Sequence, residues 1–419
     1  MTKLASHPAP VVTRACTLAA LLLAGGGARA ADPDGLAWTF GGFGTAAVTY
    51  SDNRHADFSS SVLKATGAGY TDAWSAHVDS RLGAQLGVTV NKQWSGVVQV
   101  IAEQRLDHSY RPIIEWANVK YQATPDLSLR LGRIGLPIFL AADYRKIGYA
   151  YPWARTPVEV YGAIPISNSD GVDVSYRWRA GDVKFVSQAF AGGTTLELLD
   201  ENSVKARKLT GISTTAEHGA LSGRISAFSS EVTINLAGYL FDGLRQFGPR
   251  GEDLARQYEV ESKRFNALTI GATYDPGNWF VMGEIGRFTT HSFFGKSVTV
   301  YSSAGYRFGA FTPYIAFAGA KAKSATRDPG LPLDGLPPQL AAPAAQLNEG
   351  LNYLLKSVPV QNTVSAGMRW DVRHNIALKL QYDRVRPGQH SRGTLFNVQP
   401  GFGAHPRVNL ASAVLDFVF

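Results

Sequence analysis

From Val78 to Val90 the chain alternates without a break. Val78, Ser80, Leu82, Ala84, Leu86, Val88 and Val90 fall on one face of an extended segment, and His77, Asp79, Arg81, Gln85, Thr89 and Asn91 on the other. Period two is the pattern of a strand with one apolar and one polar side. These thirteen residues are long for a globular strand, which usually has about 5–6. A tilted strand crossing a bilayer needs about 9–11. Sixteen such segments follow one another, at approximately 37–50, 77–91, 94–105, 114–123, 126–133, 170–179, 182–190, 208–217, 220–230, 265–275, 278–288, 297–308, 310–320, 358–371, 375–384 and 408–419.

The gaps between segments alternate short and long. The short ones carry turn chemistry: Thr124-Pro125, Ala180-Gly181, His218-Gly219 and Pro276-Gly277. The long ones fall at 51–76, 134–169, 191–207, 231–264, 321–357 and 385–407, with shorter ones at 106–113 and 289–296. This predicts an all-β transmembrane antiparallel barrel with short periplasmic turns and long extracellular loops. Trp38, Trp94, Trp178, Trp279 and Trp370 lie at periplasmic strand ends with the parity of the apolar face, as do Tyr121, Tyr274 and Phe308. Amphipathic rings favour the headgroup level, so these residues read as an aromatic girdle.

The two ends of the chain add an address. Lys3 and Arg14, an apolar run from Ala15 to Gly27, and Ala28-Arg29-Ala30 form the layout of a secretory signal peptide, with cleavage expected after Ala30. The domain plan is therefore a signal peptide at 1–30 and a barrel at 31–419. The last segment stops on an aromatic residue, and Phe419, Phe417, Leu415, Ala413 and Ala411 share its apolar face. Such a strand resembles the terminal signature of bacterial outer-membrane barrels, which implies that the assembly machinery reads Phe419, Phe417 and Leu415.

Composition fits one oily and one wet face. Gly is frequent at 43, Met rare at 3, and aromatics make up 11%. Losing Lys3, Arg14 and Arg29 takes the basic count from 41 to 38 against 33 acids, near +5. No basic cluster with interleaved aromatics points to nucleic acid.

Signal peptide, sixteen strands, terminal Phe419 and a long third loop together resemble the Gram-negative general porins. The resemblance implies an outer-membrane location among lipid and lipopolysaccharide, a homotrimer, and a third loop folded into the pore. Here that loop runs from about Ile134 to Ser169 and contains Asp143, Arg145, Lys146, Arg155 and Glu159. Its Pro157-Val158-Glu159-Val160-Tyr161-Gly162 is only loosely similar to the family's acidic Pro-Glu-Phe-Gly element, which marks a divergent branch.

The polar strand faces hold nine cations, Arg81, Arg105, Lys120, Arg130, Arg177, Arg224, Arg307, Arg369 and Lys379, against Glu103, Asp173 and Asp383. A positive wall lowers the barrier for anions. The expectation is a channel for passive diffusion of small hydrophilic solutes and ions, with mild anion preference. The alternatives are a substrate-selective anion channel and a surface-interaction barrel, adhesin-like or a phage receptor.

Other chemistry is weak. Gly42-Phe43-Gly44-Thr45-Ala46-Ala47 mimics a dinucleotide fingerprint but opens no helix. His55, His77, His108 and His218 lack metal spacing. Asp107-His108-Ser109 are chain neighbours whose side chains diverge, so neither an enzyme nor a cofactor is expected. Residues 321–357 read as a Pro- and Ala-rich surface loop with a short helix near 341–355.

Overall fold

The computed structural model describes residues 35–403 and 406–419, and the leader at 1–30 lies outside them. All sixteen expected strands form in order: β1 Ala37–Ser51, β2 Arg81–Thr89, β3 Trp94–Glu103, β4 Ile113–Gln122, β5 Leu127–Gly135, β6 Asn168–Ala180, β7 Val183–Glu197, β8 Ser203–His218, β9 Leu221–Ile234, β10 Val260–Tyr274, β11 Trp279–Thr290, β12 Lys296–Tyr306, β13 Phe311–Ala322, β14 Gln361–Arg373, β15 Ile376–Pro387 and β16 Val408–Val418. Each pairs antiparallel with its neighbours in sequence. One edge of β1 meets β2 from Ala37↔Thr89 to Thr45↔Arg81, and the other closes on β16 from Phe43↔Val418 to Ser51↔Leu410. Closure leaves no unpaired edge, which is the condition for strands to cross hydrocarbon.

The outer face is apolar along its whole circumference. Leu82, Leu131, Ile212, Ile270, Ile315 and Leu380 all stand exposed on it. At the turn end the expected aromatic girdle forms, with rings meeting across strands. Trp178 stacks on Phe185 at 4.0 Å, Trp94 meets Tyr121 at 4.7 Å, and Phe311 stacks on Trp370 at 5.7 Å. Gly42 and Gly44 are small because Phe419 and Phe417 lie across them; a Cβ at either would run into those rings. The glycine-rich start of β1 is thus a bed for the terminal aromatics, and the chain ends are joined by Phe419 N–H donating to Gly42 O at 3.0 Å.

Three expectations need correction. β2 starts at Arg81 instead of residue 77. Val78 turns into a buried cluster with Phe58 and Ala68, and the Ser80 hydroxyl takes over the ladder by accepting from Ala47 N at 3.0 Å. Neither residue is on the lipid side. The gap at 191–207 shrinks to residues 198–202, because irregularities at Gly192/Thr194 and Arg207/Thr210 carry the ladder onward. A bulge shifts the alternation by one, which hides strand from a period-two reading. The loop at 235–259 contains two helices where none was expected: α2 Gly238–Arg245 and α3 Gly248–Tyr258. The short helix expected near 341–355 is α3's neighbour α4, Pro338–Leu355. Ala344, Leu351 and Leu355 of α4 pack with Leu240, Leu244 and Leu254 into an extracellular core separate from the barrel.

Candidate functional site

The third loop, residues 136–167, is folded inside the barrel and includes one turn of α-helix, α1 Val158–Tyr161, after 3-10 turns at Ala142–Tyr144 and Gly148–Ala150. A loop running through a lumen has backbone groups to satisfy. Here the wall supplies the partners. Ser226 of β9 donates to Pro137 O at 2.9 Å, Arg224 to Phe139 O at 2.8 Å, and the Glu284 carboxylate of β11 accepts from Leu140 N at 3.1 Å. The loop then descends to the turn end, where Tyr149 Oη donates to His374 O at 2.6 Å. Arg369 of β14 donates to Tyr149 O and Tyr151 O, and Lys379 of β15 to Gly148 O and Trp153 O. Climbing back, Trp153 Nε1 donates to Ser303 of β12 at 2.9 Å.

Arg155 is the densest tie. Its guanidinium pairs with Asp79 at 2.8 Å and Asp383 of β15 at 2.7 Å, and also donates to Thr49 of β1 and Ser412 of β16. All of these groups are buried. One guanidinium shared between two carboxylates offsets part of the charge that burial penalises. Glu159 accepts from Thr363 and from Gln361 of β14. Burial pushes its carboxyl above the usual range, and those hydrogen bonds pull it partly back. Asp143 pairs with Arg224 at 2.8 Å and Lys146 with Glu103 of β3. Arg145 stays within the loop, donating to Tyr161 O at 3.2 Å. The five charged loop residues read from the sequence are therefore mostly anchors.

These polar ties run to β1, β3 and β9–β16, so one side of the wall is covered from within. Toward β7 and β8 the contact is apolar, through Phe190 and Leu209. The wall cations divide accordingly. Lys379 is fully buried and pairs with Asp416 at 2.8 Å, and Arg369 pairs with Asp371 at 2.7 Å. Arg307 pairs with Asp275 at 2.8 Å beside the β12–β13 turn. Arg81 is held over Asp79 O at 3.2 Å. On the other side Arg130 of β5 pairs with Asp173 of β6 at 2.7 Å. Lys120 of β4 and Arg177 of β6 have no ion pair among the described residues. Arg105 does not line the wall. It lies beyond the end of β3, in the loop, with a 38% exposed side chain 3.9 Å from Asp107.

Sequence reasoning missed several lumen groups. Asp416 and Glu284 are inner-face acids, and Asp275 is a buried turn acid just past the end of β10, that the count of three omitted. Asp416 was detectable, since it alternates with Leu415 and Phe417 and so must face inward. Arg179 and Lys184 were also missed. They sit opposite each other in register, on the face away from the stacked Trp178 and Phe185, with Glu217 the next partner across. Asp107, in the cluster once weighed as catalytic, accepts from Ser109 and Arg111 and shapes a turn.

Comparison with known proteins adds the fold's context. No family model matches the chain, and no curated protein matches it in sequence. Among solved structures it resembles the outer membrane channel DcaP of Acinetobacter baumannii, at 13% identity and TM-score 0.54, over 93% of this chain and 99% of that one. It is equally similar to an anion-selective porin from Comamonas acidovorans, at 13% identity and TM-score 0.54, over 92% of this chain and all of that one. A trimer form of OmpT, an outer membrane protein of Vibrio cholerae, matches at 11% identity and TM-score 0.52, over 92% and 100%. The chain has the closed sixteen-strand fold of Gram-negative outer-membrane porins.

Proposed function

We propose that this barrel is exported through its leader to the outer membrane and works there as a non-enzymatic diffusion channel for small hydrophilic solutes, with a mild preference for anions. One observation carries the preference. Lys120, Arg177, Arg179 and Lys184 line the inner face of β4, β6 and β7 toward the turn end, outside the polar ties of loop 3 and without ion pairs among the described residues. Two acids stand across the ladder from them, Glu217 opposite Lys184 and Asp126, whose carbonyl accepts from Arg177 N at 2.9 Å. Unpaired charges in a confined aqueous passage are screened less than charges on an open surface, so they bias which ions enter. The charge that selects is therefore carried by a different set from Arg81, Arg105 and Arg130, which are respectively under the loop, outside the wall and paired. Assembly as a homotrimer fits the fold's trimeric neighbour.

The test is a reversal potential in a salt gradient across a planar bilayer. The wild-type channel is expected on the anion-selective side, and replacing the four cations with Glu should carry it through zero. A wild-type channel that already prefers cations overturns the anion reading. A second reading, contact with other surfaces through the outer loops, draws on the extracellular helical core, where Tyr239 is 84% and Tyr353 60% exposed. It replaces the channel if the folded barrel does not conduct.

A further inference from the structure

Where loop 3 reaches the turn end it leaves a cavity of about 490 Å³ between itself and the wall. Volumes of roughly 300–1,000 Å³ are those of small-molecule sites. The composition of this one is specific. Its apolar side is Tyr149, Ala150 and Pro152, with Phe280 fully buried behind Arg307, and its polar side is Arg307, Arg369, Arg373 and Thr312 with Asp371 and His374.

Two of the arginines are already oriented. Arg369 lies 4.7 Å over the Tyr149 ring and uses its remaining donors on Asp371, Tyr149 O and Tyr151 O. Arg307 lies 5.4 Å over Phe280 and is held by Asp275 and Gly277 O. A guanidinium has five N–H donors in a fixed fork. On Arg307 those bonds leave Nε and one terminal N–H uncommitted, and on Arg369 one terminal N–H. Arg373 is exposed at the β14–β15 turn with no ion pair among the described residues. Three arginines against Asp275 and Asp371 leave one net positive charge beside the apolar edge formed by Tyr149, Ala150 and Pro152.

We propose that this cavity binds small aryl carboxylates from the periplasmic side, with the ring against Tyr149 and Pro152 and the carboxylate on the arginines. The fixed guanidiniums need little reorganisation to accept the anion, and Arg373 supplies the uncompensated charge. A free inorganic ion would leave the apolar side unused, and a neutral arene would leave the donors unused. The proposal stands whether or not the barrel conducts.

The experiment follows ¹⁹F relaxation of 4-fluorobenzoate with the full-length barrel in detergent, against empty micelles, with 4-fluorobenzylamine and 4-fluorobenzyl alcohol as matched probes. Fluorobenzoate is expected to bind saturably, and about tenfold more tightly than the amine, the discrimination expected of one charge-assisted contact. Arg373→Gln, at an exposed turn, should weaken fluorobenzoate about threefold without touching fold, and Arg369→Gln should weaken it more. Because the readout is binding, a barrel that binds but does not conduct separates this proposal from the channel reading. Equal binding of all three probes, or unchanged fluorobenzoate binding in Arg373→Gln, overturns the site.

Discussion

Lys379 and Lys120 are both lysines on the inner face of a barrel strand, one on β15 and one on β4. Lys379 is fully buried, with Gly148 O, Trp153 O and Asp416 around its ammonium group. Lys120 is half-buried and faces Arg130 across the ladder. The same contrast runs through the two sides of the wall. Under loop 3, cations act as hydrogen-bond donors that satisfy a buried backbone, and each charge is met by a carboxylate or carbonyl. On the bare side, Lys120, Arg177, Arg179 and Lys184 keep their charge unspent. Counting basic residues on inner faces therefore overstates the potential felt by a solute. What matters is whether a wall cation is committed to the loop.

The largest effect expected from this contrast is on the covered side. Arg155→Ala leaves Asp79 and Asp383 buried without their cation, which costs about 3–5 kcal/mol. Unfolding of the detergent-solubilised barrel in urea should move accordingly. Replacing Arg155, Asp79 and Asp383 together by Met, Asn and Asn should recover most of the loss. If Arg155→Ala alone is silent, the commitment of covered cations to the loop is wrong.

A control comes from the outside of the barrel, where the two sides should not differ. Leu131 on β5 and Leu380 on β15 are 65% and 63% exposed to lipid. Arg at either position should cost about 2–4 kcal/mol near the midplane. A large difference between the two variants, measured as folded fraction in vesicles, would mean that the sides differ for reasons other than the loop.

The charge contrast itself gives the next effect. Lys120→Glu with Arg177→Glu should shift the anion-to-cation permeability ratio by about tenfold, a local change of roughly 1.4 kcal/mol. Arg307→Gln, on a cation already neutralised by Asp275, should move it far less. Comparable shifts from both would erase the distinction between the two sides.

The smallest effect expected is in pH. Lys64, in the first loop, is buried and donates to His77 O at 2.9 Å. Burial lowers its pKa from the usual 10.5 to about 8, against the pull of Glu103. Between those values the unfolded chain binds more protons than the folded one, so stability rises with pH from about 8 to 10.5. Between pH 8 and 9 the gain should be about 1 kcal/mol, read as an upward shift in the thermal midpoint and absent in Lys64→Met.

The barrel was legible because lipid on one side and water on the other impose period two on every strand. The girdle and the terminal aromatics followed from the same constraint. The lumen was less legible. Asp416 and Asp275 oppose cations from other strands, and only register pairs them. The helices at 238–258 hid behind Gly238, Gly243, Gly248 and Gly251, which read as loop residues. Gly251 is there because a side chain would collide with the Leu244 carbonyl as α3 crosses α2. The destination of loop 3 was beyond the sequence, since its anchors are carbonyls as often as side chains.

Arg155 touches Thr49 on β1 and Ser412 on β16, the two strands whose meeting turns a sheet into a cylinder. That contact closes the longest stretch of chain in the molecule and so has the largest loop-closure entropy to overcome. A cation seated between the two edges gives each a partner that is neither lipid nor the other edge. The expected consequence is temporal: loop 3 must enter before the cylinder shuts, and its arginine then acts as a buckle fastened from inside, fixing which residues of the first and last strands come to lie side by side.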